Sequence, residues 1–358
     1  MFRIFVIAIT INLFVYSNSH ACSSFQLEPH FNTYVGKNYD WSFGDAYVIY
    51  NPKGLQKFSL TLKPDQKKTQ WVSQHSSLTF NQYGLDFPNG GINEKGLSIE
   101  VLWLDESIFP AQDEKAVFNE LQWIQYALDT QSTTAGVVQT LETVRIEPIY
   151  AKVHYFVCDL ERNCTTIEFV NGKAAIGTYE KYGFDVITNS THKDSMSYLS
   201  LFKNFGGNYN VIWENYASLD RFVRLNDLLR TYKDTQDPIE YAFKSLDSVK
   251  REKVSVGSYT QWQIVYDKEN LVSHFKTTFS SFKVANVSLK SFPPECSQRQ
   301  YFDLKSKVHG DINDKFQPLT YELNYQLVKT SLKKVMPNAP EDMVKAISGA
   351  PFKFECVP

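Results

Sequence analysis

Several function classes find little support in this sequence. Its 37 Lys and Arg against 39 Asp and Glu leave a formal charge of −2. With both signs mixed throughout, there is no basic footprint for nucleic acid or for an anionic membrane surface. After the first residues no apolar run reaches the roughly 20 residues that a membrane-spanning helix needs. There is no HExxH and no paired CxxC, so a metal centre is not indicated. Gly90 and Gly91 in "PNGG" read as a turn, and no nucleotide-binding signature is present. No internal repeat, low-complexity block or Pro/Gly/Ser linker divides the chain. What remains is globular material, 43% hydrophobic and rich in Tyr and Phe, suited to a small, uncharged or mildly charged substrate.

The start of the chain has the layout of a secretory signal. Arg3 precedes a mostly apolar Ile4 to Val15, and Ser17 to Ala21 are polar, with the small residues Ser19 and Ala21 at positions −3 and −1. Cleavage after Ala21 would make Cys22 the first mature residue, in a secreted or periplasmic protein. Residues 22–358 are then long enough for one large domain or two ordinary ones. The reading favours a single domain over 22–358, with a less defined C-terminal extension from about residue 290.

Five cysteines leave one unpaired in an exported chain. Cys158 and Cys164 flank "DLERN" between two strand-like runs and can close a hairpin. Cys296 and Cys356 can tether the tail. Four cysteines allow three connectivities, and this pairing leaves Cys22 alone. Three roles compete for it: a lipid anchor, half of a disulfide, or a nucleophile. A lipobox usually has leucine at −3, where Ser19 stands. A nucleophile at the terminus has a physical rationale, because the α-amine has a pKa of about 7.7 to 8.0 and can accept the thiol proton.

Along the chain, "TYVGKNYDW", "AYVIYNPKG", "FSLTL" and "GLSIEVLWL" read as strands. A helical period begins at Phe118, with Leu121, Ile124, Tyr126 and Leu128 on one side, and a second helix follows the capping residues Thr133 and Thr134. Strands return at "HYFVCD" and "TTIEFVNGKAAI". Helices follow at "SMSYLSLFKNF", "RFVRLNDLLRTY" and "IEYAFKSL", and a late hairpin at "TQWQIVYDKENLVSHFKTT". Strands in two groups separated by helices predict an α+β fold, with packed sheets covered by helices. His154 has no partner at useful spacing and reads as a satisfied histidine.

The order "CSSF", "GKNYDW", "NEKGLSIEVLWLDES", "VITNS", "DRFVR" and "TQWQIVYD" resembles the choloylglycine hydrolase and penicillin V acylase family of N-terminal nucleophile amidases. The matches run from Cys22 to about Asp267 and look most like the Gram-negative penicillin V acylase branch. The resemblance implies a four-layer αββα sandwich, no cofactor and a homotetramer. It also implies cleavage of a linear amide in a small molecule, penicillin V-like or an N-acyl homoserine lactone. Cys22 would attack the amide carbonyl and form a thioester.

By the same resemblance, Asp40 contacts the cysteine amine, and Lys37 stands where family members usually carry arginine, keeping the charge and losing the planar fork. Asn189 would stabilise the oxyanion together with the backbone N–H of Trp103, ten residues after the asparagine of "NEKGL". Thr191 replaces a proline common in the family. Arg221 would organise the site, and Trp41 and Trp103 would line an acyl pocket. Against these roles stand a surface lysine for Lys37, a turn for Asp40 and Asn189, a polar helix face for Arg221 and Arg224, and core packing for the tryptophans. Conjugated bile salts are the alternative substrate, and a lipid-anchored or disulfide-bonded binding protein without catalysis is the alternative of another class.

Overall fold

A computed structural model describes residues 21–357 apart from 64, 179–184, 254–256 and 294. Except for Ala21, the expected export signal lies outside the described residues.

The aromatic and β-branched runs build two large sheets. The first has seven strands in the order Val186–Ile187, Ser23–Leu27, Tyr34–Trp41, Tyr259–Asp267, Val272–Thr277, Ala285–Ser288 and Gly310–Asp311. The second has nine, in the order Lys173–Gly177, Cys164–Val170, Val153–Cys158, Ser98–Trp103, Gly90–Asn93, Ser77–Asn81, Tyr47–Asn51, Gln300–Asp303 and Gln317–Pro318. A core containing Tyr39, Trp41, Ile264 and Tyr266 from the first sheet and Tyr50, Phe80, Leu102 and Phe156 from the second joins their inner faces.

The outer faces are covered by helices with apolar stripes. Helices α1 (Gln122–Thr130) and α2 (Thr134–Thr140) pack on the second sheet through Trp123, Ile124, Leu128 and Val137. Thr133 caps α2, its side chain accepting from the Gly136 N–H. Helices α3 (His192–Leu199), α4 (Ser218–Thr231) and α5 (Pro238–Ser248) cover the first sheet through Leu199, Phe222, Leu225 and Leu246. The result is the expected αββα layering.

Two further helices, α6 (Tyr321–Val335) and α7 (Glu341–Gly349), pack on each other and on the loop after Asn81. Sequence reading placed no elements there. Both proposed disulfides form, Cys158–Cys164 with a Cα separation of 4.2 Å and Cys296–Cys356 with 5.9 Å, while Cys22 is free and buried. No described helix is long and apolar enough to cross a membrane.

Two expectations need correction. Residues 58–62 are not a strand as a unit, since the strand there is Leu55–Phe58. Gly90 and Gly91 open a strand instead of forming a turn. A Cβ on Gly90 would lie 2.3 Å from Glu100 Oε2, and one on Gly91 would lie 2.6 Å from the Leu78 carbonyl oxygen. Glycine is therefore used here for close approach between strands. Arg221 and Arg224 are 1% and 0% exposed, which removes the alternative of a polar helix face and leaves Arg221 the site-organising position expected of it.

Candidate active site

The strand Tyr34–Trp41 is buried along its whole length, yet it carries Lys37, Asn38 and Asp40. Buried polar groups need partners, and supplying them organises the site. The strand pairs antiparallel with Ser23–Leu27, with Ser23 opposite Asn38. This register brings Cys22 against Asp40. The Asp40 backbone N–H lies 3.4 Å from Cys22 Sγ, and the thiol is 3.7 Å from the Asp40 carbonyl.

Asp40 is fully buried. Its Oδ1 accepts from the Thr260 hydroxyl at 2.5 Å, and its Oδ2 is buried with no hydrogen-bond partner among the described residues. Burial raises its pKa to about 6, against the lowering effects of the Thr260 hydrogen bond, Arg221, Arg251 and Lys37. Burial likewise pushes the Cys22 thiol up to about 11, with Lys37 and Arg221 pulling down and Asp40 pushing up. At neutral pH the sulfur is therefore protonated, and nucleophilic attack needs a base within the site.

Lys37 is buried, not a surface lysine. Its Nζ donates to the Val101 carbonyl at 2.6 Å and pairs with Glu100 at 3.1 Å. Tyr266 also donates to Glu100, at 2.7 Å. Burial raises the Glu100 pKa, and Lys37 and Tyr266 oppose that rise. The cation is thus held near the thiol by a carboxylate from the facing sheet.

Arg221, on α4, ties the segment of Cys22 to Asn189. Its Nη1 donates to the carbonyl oxygens of Ala21 and of Cys22 (2.7 Å) and to Ser23 Oγ (2.6 Å), while Nη2 donates to Asn189 Oδ1 at 2.9 Å. Asn189 Nδ2 in turn donates to the Trp103 carbonyl at 2.8 Å. Its second N–H has no protein acceptor among the described residues and is free to meet a developing negative charge. The segment before Asn189 is fixed by His154, whose ring contacts Glu168 Oε1 (3.1 Å) and the Thr188 carbonyl (2.8 Å). His154, expected as a satisfied core or surface histidine before a strand, is satisfied and buried, and it lies within the strand Val153–Cys158.

Cys22 opens on a cavity of about 80 Å³, where one water needs roughly 10–15 Å³. Trp41 and Trp103, with ring centroids 5.9 Å apart, stand in its wall with Tyr39 and Tyr83. Among the described residues no lysine, arginine or histidine lines it. The carboxylate it contains, Glu120, is spent on the backbone N–H groups of Ile149, Tyr150 and Ala151.

The structure therefore brings together Cys22, Lys37, Asp40, Asn189, Arg221, Trp41 and Trp103. Sequence reading missed Thr260, Glu100 and Tyr83. Glu100 had a signal, being the one charge inside the otherwise apolar "GLSIEVLWL".

A family model described as linear amide C–N hydrolases, choloylglycine hydrolase family, matches residues 22–300. A penicillin V acylase from Pectobacterium atrosepticum is 26% identical over 302 residues, covering 78% of this chain and 74% of that protein. The penicillin V acylase structure from Agrobacterium tumefaciens superposes with a TM-score of 0.73 at 21% identity, over 84% of this chain and 98% of that one. Conjugated bile acid hydrolase from Clostridium perfringens gives 0.67 at 17%, over 80% and 98%. With its fold, its lone cysteine and a match across most of its length, this chain belongs to the choloylglycine hydrolase family of linear amide C–N hydrolases.

Proposed function

We propose that the protein is an exported amidase that removes a neutral, apolar acyl group from a small amine, with phenoxyacetyl amides such as penicillin V and N-acyl homoserine lactones as the substrate classes. The observation that carries this reading is the aromatic, cation-free cavity ending at the Cys22 thiol. Two disulfides support an oxidising, exported compartment.

In the mature chain the Cys22 α-amine takes the thiol proton. The thiolate then attacks the amide carbon, and the oxyanion is held by Asn189 Nδ2 and the backbone N–H of Trp103. Collapse expels the amine, which leaves with the proton from the Cys22 ammonium, and a thioester remains. Water, deprotonated by the same α-amine, hydrolyses the thioester and releases the carboxylic acid. Asp40 Oδ2, buried without a partner, suits the α-ammonium formed in each half-reaction.

A substrate screen by chromatography tests the reading. Penicillin V and N-acyl homoserine lactones should yield the free acid and amine. Turnover of glycine- or taurine-conjugated bile acids alone would overturn it.

The pH profile follows from Asp40. Because burial raises its carboxyl to about 6, kcat/KM should fall as pH drops through about 6 and below, where the carboxylate that orients the ammonium is protonated. Stability moves the other way. A raised carboxyl pKa contributes stability below the ordinary value of about 3.9 and loses it as pH rises through about 6. Asp40→Asn should remove the steepening near about 6 and the stability dependence, while the limb of the α-amine, at about 7.7 to 8.0, stays; a steepening unchanged in that variant would remove Asp40 from the role.

A further inference from the structure

The cavity at Cys22 is closed in part by residues beyond the matched region. The matched region ends at residue 300, whereas Leu332 and Val335 of α6 and Ile347 of α7 line the same cavity as Cys22. Cys22 belongs to the inter-sheet core, and Leu332 and Ile347 belong to a separate apolar cluster with Phe87. The cavity therefore runs from the core to the underside of the C-terminal helix pair.

That pair is firmly seated. The stripe Asn324, Leu327, Val328, Ser331 and Leu332 faces inward along α6. Asn324 Oδ1 accepts from the Leu85 N–H at 2.7 Å, and its Nδ2 donates to the Ser348 carbonyl at 2.8 Å, joining α6 to the pocket loop and to α7. Gly84 permits the approach, since a Cβ there would stand 2.5 Å from Val328 Cγ2. After α7 the chain returns to pair Glu355 and Cys356 with Gln56 and Leu55, and the disulfide to Cys296 locks it.

We propose that α6 and α7 are the specificity-determining roof of the acyl pocket. Leu332, Val335 and Ile347 limit the length of the apolar acyl group that can reach Cys22, and the Cys296–Cys356 disulfide holds that limit in place. The proposal rests on the amidase reading of the site and adds to it which residues choose the acyl group. The roof is purely apolar, so it sorts by length and bulk instead of by charge. In such a pocket one methylene too many is worth about 10- to 200-fold in kcat/KM.

The test uses N-acyl homoserine lactones of graded straight-chain length on the mature enzyme, on Leu332→Ala, Val335→Ala and Ile347→Ala, and on Cys296→Ser/Cys356→Ser. The last variant frees the roof without altering its lining. The wild type should show a length optimum. Each alanine variant should raise kcat/KM for a chain one methylene past that optimum by about tenfold or more relative to the optimal chain, and the disulfide variant should flatten the profile. Binding of the matching carboxylic acids to Cys22→Ala forms of the same proteins, read by tryptophan fluorescence, gives a readout that needs no turnover. Unchanged length profiles in folded variants would overturn the roof while leaving the amidase reading intact. If no amide is turned over but acid binding still shifts with length, the amidase reading fails and the roof stands.

Discussion

Cys22→Ala is expected to lower kcat on the best amide by about 10⁴-fold or more, the scale seen when a covalent nucleophile is removed, while the acyl product still binds. The thiol has no substitute within reach. Sγ sits beside the Asp40 backbone at the cavity end, and the neighbouring groups either carry positive charge or are committed to hydrogen bonds. The same expectation applies to a chain in which Ala21 is left attached. There the α-nitrogen is a peptide amide with no basicity, and a thiol pushed up to about 11 has lost its base. Comparing the two separates the roles: Cys22→Ala removes the nucleophile, and retention of Ala21 removes the base. If the chain that keeps Ala21 turns over substrate at the mature rate, another group deprotonates the thiol and the terminal-amine mechanism is wrong.

Lys57→Met should cost about 3–5 kcal/mol of stability, the range for breaking a buried ion pair by deleting one partner. Lys57 Nζ lies 3.0 Å from Asp86 and 2.9 Å from Asp129, and all three side chains are fully buried. Burial alone would push the ammonium down, yet the two carboxylates outweigh it and its pKa is raised. Burial raises Asp129, which also accepts from Trp71 Nε1 at 2.8 Å. Without the cation two carboxylates would share one dry site. Chemical denaturation should report a lower midpoint with an unchanged slope, and adding Asp86→Asn and Asp129→Asn should recover much of the loss. A midpoint for Lys57→Met that implies less than about 1 kcal/mol would show that water reaches the cluster. The consequence for activity is indirect. Asp86 belongs to the loop that carries Tyr83, Phe87 and Asn89 into the cavity wall, so the cluster fixes that wall against α1.

Much of this site was legible in order along the chain. Cys22 was marked by its place after a secretory pattern, and Asp40 and Trp41 by arriving together in "GKNYDW". The partners that complete the site were not legible, because they are set by sheet geometry. Thr260 reaches Asp40 at a point where the strand register shifts between Thr260 and Trp262, so alternation along the strand does not predict which face it takes. Lys37 meets Glu100 across the two sheets, 63 residues apart in number, and only the lone acid in an apolar strand hinted at it. For Arg221 and Arg224 a wet face stayed open as the alternative, since charge spacing on a helix does not reveal that backbone carbonyls wait on the other side. Arg224, for example, donates to the carbonyls of Ser248, Ile212 and Asn215. Helices α6 and α7 went unread although Leu327, Val328, Ser331 and Leu332 have helical spacing. The matched motifs stop near Asp267, and composition alone did not ask what covered the pocket.

If Cys22 is freed by cleavage as proposed, the link between residues 21 and 22 sets an order of events. Ala21 and Cys22 are 2% and 4% exposed, and the Ala21 carbonyl is gripped by Arg221. In the folded chain that peptide bond is sealed away from any external protease. Under the proposed maturation, cutting comes first and folding second. A precursor that folds too early would keep its catalytic residue capped, and the yield of working enzyme would depend on a race between two rates.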